Sequence, residues 1–236
     1  MKINKDQFGE NIVLDTWDDV GKFADDRMSI PPSYLDRVNK RSAFWRRDYP
    51  TDAFSLGQLG SKAWLLSNLS SVNPQKRPVT ACMLGCWIGA LVPMLLRDHT
   101  LERIYGLDMD PHCIELAEEF NRQYVEDNWK FKGVVADVNT LNTDNMEFVT
   151  SGELIQVKPD WVRNTSCEHM GTEWFETADS DQLIIMQTND SKEFDGHINV
   201  CYNVEEMQER YPLSRTLYVG TLKTPAYTRL MQLGYK

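Results

Sequence analysis

The sequence predicts an α/β protein: a doubly wound, mostly parallel sheet with a C-terminal antiparallel hairpin, preceded by a helical N-terminal segment. Three observations lead there. From residue 78 onward, short apolar runs alternate with amphipathic stretches and short connections, the pattern of strands with helical crossovers. The last two apolar runs, "RTLYVGTL" and "YTRLMQLGYK", have only a few residues between them, which admits a hairpin and no crossover. Before residue 78, helical spacing dominates. The expected division is therefore a helical cap segment over 1–77 and a Rossmann-like domain over 78–236.

In chain order, "TWDDVGKFADDRM" opens on a Thr16 cap signal followed by acidic residues, as a helix start requires. "SLGQLGSKAWLLSNLS" places Leu56, Leu59, Ala63, Leu66 and Leu69 at helical spacing, and "VNPQKRP" ends it. "PVTACMLG" reads as a strand, "ALVPMLLRDH" as an apolar helix and "ERIYGLD" as the next strand. "CIELAEEFNRQYVEDN" is amphipathic helix, "WKFKGVVAD", "KPDWVRN" and "DQLIIMQTN" are strands, and "VEEMQERY" is the last helix before the hairpin. No repeat or low-complexity tract interrupts the series.

Size and charge limit what such a chain can do. With 236 residues and 42% hydrophobic content there is material for one sizeable core. A formal charge of -10, from 25 basic and 35 acidic residues, disfavours sequence-independent nucleic-acid binding. No apolar run is long enough to span a membrane and no signal peptide is evident, so a soluble, cytoplasmic protein is expected. The five cysteines, odd in number and mostly in apolar contexts, suit reduced thiols.

Ligand binding is expected at strand ends. "MLGCWIGA" turns from strand into helix through Gly85 and Gly89, where backbone can approach a ligand and helix-start amides face polar groups. Neither a dinucleotide G-x-G-x-x-G nor a Walker loop is present. Asp108, about twenty residues further on at the end of "RIYGLD", is placed to accept ribose hydroxyls. Asp110, just before Pro111, fits a helix cap better and leaves Asp108 free. Asp137, ending "FKGVVAD", is either an acceptor for an exocyclic amine or a cap.

These features together resemble the class I S-adenosylmethionine-dependent methyltransferases over residues 78–236. "MLGCWIGA" looks like that family's glycine motif, "YGLDMDP" like its ribose motif and "VVADVN" like its adenine-contacting acidic motif. The resemblance implies S-adenosylmethionine as cofactor, with Gly85, Trp87 and Gly89 beside its methionine part. Asp108 and Met109 would lie at the ribose, and Asp137 and Val138 at adenine. The departure is the glycine motif itself, which keeps two glycines and places Trp87 between them.

In such folds the segment after the fourth strand faces the transferable methyl group, and here it reads "NTSCEHM". Asn164 matches the first position of the amino-methylating motif; the prolines and aromatic that should follow are missing. Glu168 or His169 is then a candidate proton acceptor, and Cys167 a candidate nucleophile if His169 lowers its pKa. The alternative is a helix through "EHMGTEWFETA" capped by Ser166 or Thr165. "CEH" and "HINVC" offer Cys167, Glu168, His169, His197 and Cys201, yet neither spacing is a metal motif and no metal is expected. The loop "MQTNDSKEFDGHINV", with Asn189, Asp190 and His197, would lie at the same sheet edge or serve as a solvated connection.

The expected activity is methyl transfer from S-adenosylmethionine to a small or polar acceptor. Transfer of the aminocarboxypropyl group is a variant. The competing class is a non-catalytic methyltransferase-like module that binds a protein partner through the basic, aromatic stretch "RSAFWRRDYP" at 41–50.

Overall fold

The computed structural model describes residues 11–28, 51–72, 79–98 and 101–236. The stretch 41–50, expected as a contact surface, lies outside the described residues. Among the described residues, ten strands alternate with seven helices: β1 (Asn11–Val13), α1 (Trp17–Met28), α2 (Leu56–Val72), β2 (Val79–Leu84), α3 (Val92–Asp98), β3 (Leu101–Asp108), α4 (Pro111–Phe120), α5 (Arg122–Glu126) and β4 (Phe131–Val135). Then come β5 (Met146–Thr150), β6 (Glu153–Val157), β7 (Trp161–Asn164), α6 (Glu173–Glu176), β8 (Leu183–Asn189), α7 (Val204–Arg210), β9 (Arg215–Lys223) and β10 (Thr228–Tyr235).

Eight strands form one sheet in the order β1-β9-β10-β8-β7-β2-β3-β4. β4, β3, β2, β7 and β8 run parallel, and β10 is antiparallel to both β8 and β9, as the short connection at 224–227 demands. Strand order reverses between β2 and β7, whose ends meet in the register Leu84↔Asn164. In open α/β sheets that reversal leaves a crevice beyond the carboxyl ends, where ligands bind.

Both faces of the sheet are covered, which explains its unbroken apolar runs. Along β2, Val79, Ala81 and Met83 enter one core cluster, while Cys82 and Leu84 enter the other. β8 divides the same way, with Leu183 and Ile185 on one side and Ile184 and Met186 on the other. α2 covers the first face with Trp64, Leu65 and Leu69, all fully buried. Trp64 Nε1 donates to the Tyr218 hydroxyl at 3.0 Å and Ser61 to Gln187 Oε1 at 2.9 Å, so the polar atoms under the helix are satisfied.

The N-terminal segment is not purely helical. β1 pairs in parallel with β9 and so extends the main sheet. The Thr16 signal is realised as a reciprocal cap: Thr16 Oγ1 accepts from the Asp19 amide, and Asp19 accepts from the Thr16 amide. A second difference lies at 146–157, an antiparallel hairpin absent from the expected element series. Its turn residues Ser151 and Gly152 have φ of 51° and 79°, suited to a two-residue hairpin loop. All five cysteines are free thiols. Among the described residues, no helix is long and apolar enough to cross a membrane.

Candidate functional site

A cavity of about 960 Å³ opens at the carboxyl ends of β2, β3, β4, β7 and β8. α2 and the residues before it wall the opposite side through Asp52, Gln58 and Lys62.

One half of the cavity is built from backbone turns. After β2 the chain takes left-handed conformations at Gly85, Trp87 and Gly89, with φ of 60°, 50° and 63°. Gly89 is required twice over: beyond its φ, a Cβ there would lie 2.6 Å from Asn121 Nδ2. Trp87 is an uncommon residue for this conformation. Its amide donates to Asp108 Oδ2 at 2.9 Å, which holds the turn against the end of β3. Asp108 Oδ1 accepts from the Asp110 amide at 3.1 Å, and each oxygen retains a lone pair. Asp110 is the cap of α4, accepting from the His112 amide at 2.9 Å. Asp137 caps the 3-10 turn Val138–Thr140 through the Asn139 amide and also lines the cavity, as do Met109 and Val138.

The other half is built from buried side chains. Glu168, Asn189 and Arg229 are each almost fully buried. Glu168 Oε1 accepts from Asn189 Nδ2 at 2.7 Å and pairs with Arg229 Nη1 at 3.5 Å, while Oε2 has no hydrogen-bond partner. His169 is exposed to the cavity, and its Nδ1 lies 3.1 Å from the Gly196 carbonyl oxygen. His197 Nδ1 lies 2.6 Å from the Ser191 carbonyl oxygen, and the two imidazoles meet edge to face at 4.6 Å. The end of β8 at Asn189 and the loop after it, through Phe194 and His197, are therefore part of the wall.

Two predicted roles are corrected, and one alternative reading with them. Cys167 is fully buried and absent from the cavity wall, and its thiol donates to the Asn164 carbonyl. Burial, then the Glu168 charge, pushes that thiol well above its ordinary pKa, the opposite of what a nucleophile needs. Asn164 is also buried and away from the wall: its Oδ1 accepts from the Ser166 amide and its Nδ2 donates to Met170 Sδ, so it folds the loop. The alternative, a helix running continuously through "EHMGTEWFETA", is not formed. A 3-10 turn spans Cys167–His169, Met170 is extended, and α6 covers Glu173–Glu176, with no side-chain cap from Ser166 or Thr172.

The structure adds three cations to the site. Lys62 lines the cavity and donates to Gln58 Oε1 at 2.9 Å. Burial, then the charges of Arg229 and Arg163, brings its amine down to about 7. Arg163 lies on β7, buried, donating to Thr165 Oγ1 at 2.6 Å, with no ion pair among the described residues. Arg229 lies on β10. Each adjoins apolar residues on one side, Ala63–Leu66, Trp161–Val162 and Leu230–Met231, where a charge signals something to neutralise or bind; that was the available clue.

No protein-family model matches this sequence, and no curated protein matches it. Solved structures do match. Magnesium protoporphyrin IX methyltransferase (ChlM) from Synechocystis PCC 6803 with bound SAH superposes with a TM-score of 0.57 at 14% identity, over 89% of this chain and 98% of that one. The N-methyltransferase NodS from Bradyrhizobium japonicum WM9, in complex with S-adenosyl-L-homocysteine, gives 0.54 at 12% identity, over 86% and 96%. MtNAS in complex with MTA and tNA gives 0.52 at 13% identity, over 93% and 75%. Together with the strand order and the closing hairpin, these superpositions show that the chain has the class I methyltransferase fold.

Proposed function

We propose that the protein binds S-adenosylmethionine and transfers its methyl group to a small, polar acceptor. The observation that carries this is one cavity lined by both the left-handed turn with Asp108 and the buried charged cluster around Glu168. ChlM and NodS, with SAH in the corresponding fold, support the choice of cofactor. The residues present fit it: Asp108 keeps free lone pairs for ribose hydroxyls, Met109 and Val138 offer apolar contact, and Asp137 keeps a free carboxylate oxygen at the adenine end. Gly85 and Trp87 border the cavity where the methionine part would lie, whereas Gly89, expected beside it, is buried against Asn121 and does not line the cavity.

S-adenosylmethionine supplies an electrophilic methyl carbon on a sulfonium. The chain must hold the acceptor in line with it, exclude water and take the acceptor's proton. Lys62, with an amine near 7, is substantially neutral at neutral pH and becomes the ammonium as the acceptor loses its proton. Glu168 and His169, at the end of β7, orient the acceptor, and Arg163 places positive charge where an anionic acceptor group is stabilised. A second reading makes His169 the base, because the Gly196 carbonyl at Nδ1 leaves Nε2 as the lone-pair nitrogen. Among the described residues before β2, Trp17, Asp52, Gln58 and Lys62 line the side of the cavity opposite the strand ends.

Calorimetric titration with S-adenosylhomocysteine is the test. Saturable one-to-one binding, lost or weakened in Asp108→Ala, supports the reading. Absence of binding at millimolar ligand in the folded protein overturns it in favour of a non-catalytic module.

A further inference from the structure

We infer that Glu168, His169 and His197 form a binding site for one first-row divalent transition-metal ion, open toward the acceptor end of the cavity. One ligand atom from each of the three lies within 4.8 Å of the others. Two atoms bound to one ion at the usual ~2.0–2.2 Å sit about 3 to 4 Å apart. The side chains therefore need to close by roughly an ångström, a shift that two imidazoles on loops can make.

The hydrogen bonds around the cluster favour ligation. Carbonyl oxygens only accept, so the contacts of His169 Nδ1 to Gly196 and His197 Nδ1 to Ser191 require both Nδ1 atoms to carry the proton. In the neutral imidazole this tautomer places the lone pair on Nε2, the nitrogen that binds metal, and a backbone carbonyl on the other nitrogen is its usual support. Gly196 has a φ of 80°, a conformation that brings its carbonyl to His169 and that a side chain would strain.

Glu168 supplies the carboxylate. Its Oε1 is held by Asn189 and Arg229, whereas Oε2 is buried without a partner. An unpaired carboxylate oxygen in a dry position is costly, and a cation satisfies it. Two imidazoles and one carboxylate occupy three positions on an ion and leave others open, the donor set of catalytic rather than closed structural sites. Those positions face the cavity, where an oxygen-bearing acceptor would complete the coordination. That last role rests on the methyl-transfer reading, but ion binding itself does not. The local spacings excluded a metal because His197 is distant in sequence from "CEH"; the loop after β8 closes that separation in space.

The full-length protein, freed of adventitious ions by chelation and dialysis, is titrated separately with Zn²⁺ and Co²⁺ by calorimetry, with visible absorption followed for Co²⁺. The expected result is one ion per chain with a Co²⁺ d–d band. His169→Ala and His197→Ala each abolish stoichiometric binding, and Asn189→Ala weakens it by about 10- to 100-fold, as loss of a carboxylate's support does. Circular dichroism and S-adenosylhomocysteine titration establish that each variant is folded, and His197→Gln provides a second variant should His197→Ala unfold. Several outcomes overturn the site: no stoichiometric ion, binding undiminished in folded His197 variants, or a sulfur-to-cobalt charge-transfer band showing that cysteine holds the ion. Ion binding without cofactor binding would overturn the proposed function and leave the site standing; the converse would do the reverse.

Discussion

The two halves of the cavity are built on opposite principles. At the ends of β2, β3 and β4, the wall is backbone turn and short-range capping: Trp87, Asp108, Asp110 and Asn139 bond to one another or to near neighbours at part-exposed positions. At the ends of β7, β8 and β10, the wall is buried charge. Glu168, Asn189 and Arg229 come from three separate segments and meet at Glu168 Oε1 away from water. A turn that presents amides suits a ligand recognised by shape and a few hydrogen bonds. Buried charges in low dielectric act strongly on whatever enters, which suits chemistry. The comparison assigns recognition to the first half and reactivity to the second.

Lys62 offers the largest effect with which to break that assignment. Lys62→Met should lower turnover by about 10²- to 10⁴-fold while cofactor affinity stays near wild type. In the wild type, the rate should rise with pH through about 7, since below that value the amine is an ammonium that cannot accept a proton. The variant should lack this limb. Unfolded, the same lysine titrates near 10.5, so the unfolded chain binds the extra proton between about 7 and 10.5, and stability from this group rises with pH across that window. A pH–rate profile unchanged by Lys62→Met would move the base to His169.

Arg229→Met comes next. Removing the buried partner leaves the Glu168 carboxylate uncompensated and should cost about 3 to 5 kcal/mol in denaturant unfolding, at the lower end because Asn189 still donates. Glu168→Gln combined with Arg229→Met should recover much of that loss. If the single variant unfolds with wild-type stability, the buried pair contributes nothing and the contrast between the halves weakens.

At the recognition half, Asp108→Ala should weaken S-adenosylhomocysteine binding by about 1.5 to 3 kcal/mol, the range for a hydrogen bond to a charged group. The smallest effect is expected two residues away. Asp110→Ala removes the cap of α4 and should cost about 1 kcal/mol of stability, with cofactor affinity unchanged. Equal affinity losses in the two variants would show that the turn acts as a unit and that Asp108 has no ligand of its own.

How much was legible follows the same line. Asp110 was readable as a cap because Pro111 follows it, and a cap is settled within three or four residues. Glu168 and His169 stood out as polar residues at a strand end, and His197 in a loop at the same edge. Cys167 and Asn164 shared that short stretch, but both are buried and spend their polar atoms on bonds within the 164–170 loop, a direction that no local spacing fixes. The 146–157 hairpin carried its signal in the alternation of "MEFVT" and "ELIQV" around Ser151–Gly152. The alternative helix through 168–178 does not form as one piece, because Met170 in extended conformation and Gly171 separate two short turns.

By itself, the sequence determined neither β1 nor the 146–157 hairpin, but it did determine the alternation of strands and helices around the parallel sheet, the hairpin at the end, the turn at Gly85–Gly89 and the carboxylates at the ends of β3 and β4. All of these depend on residues adjacent in the chain, where periodicity, turn chemistry and capping act. Only the tertiary structure decided that Lys62 on α2, Arg163 on β7, Glu168 after it, His197 after β8 and Arg229 on β10 share one cavity. Their energies depend on burial and on charges contributed by distant segments, and neither quantity exists until the sheet has formed and the water has left.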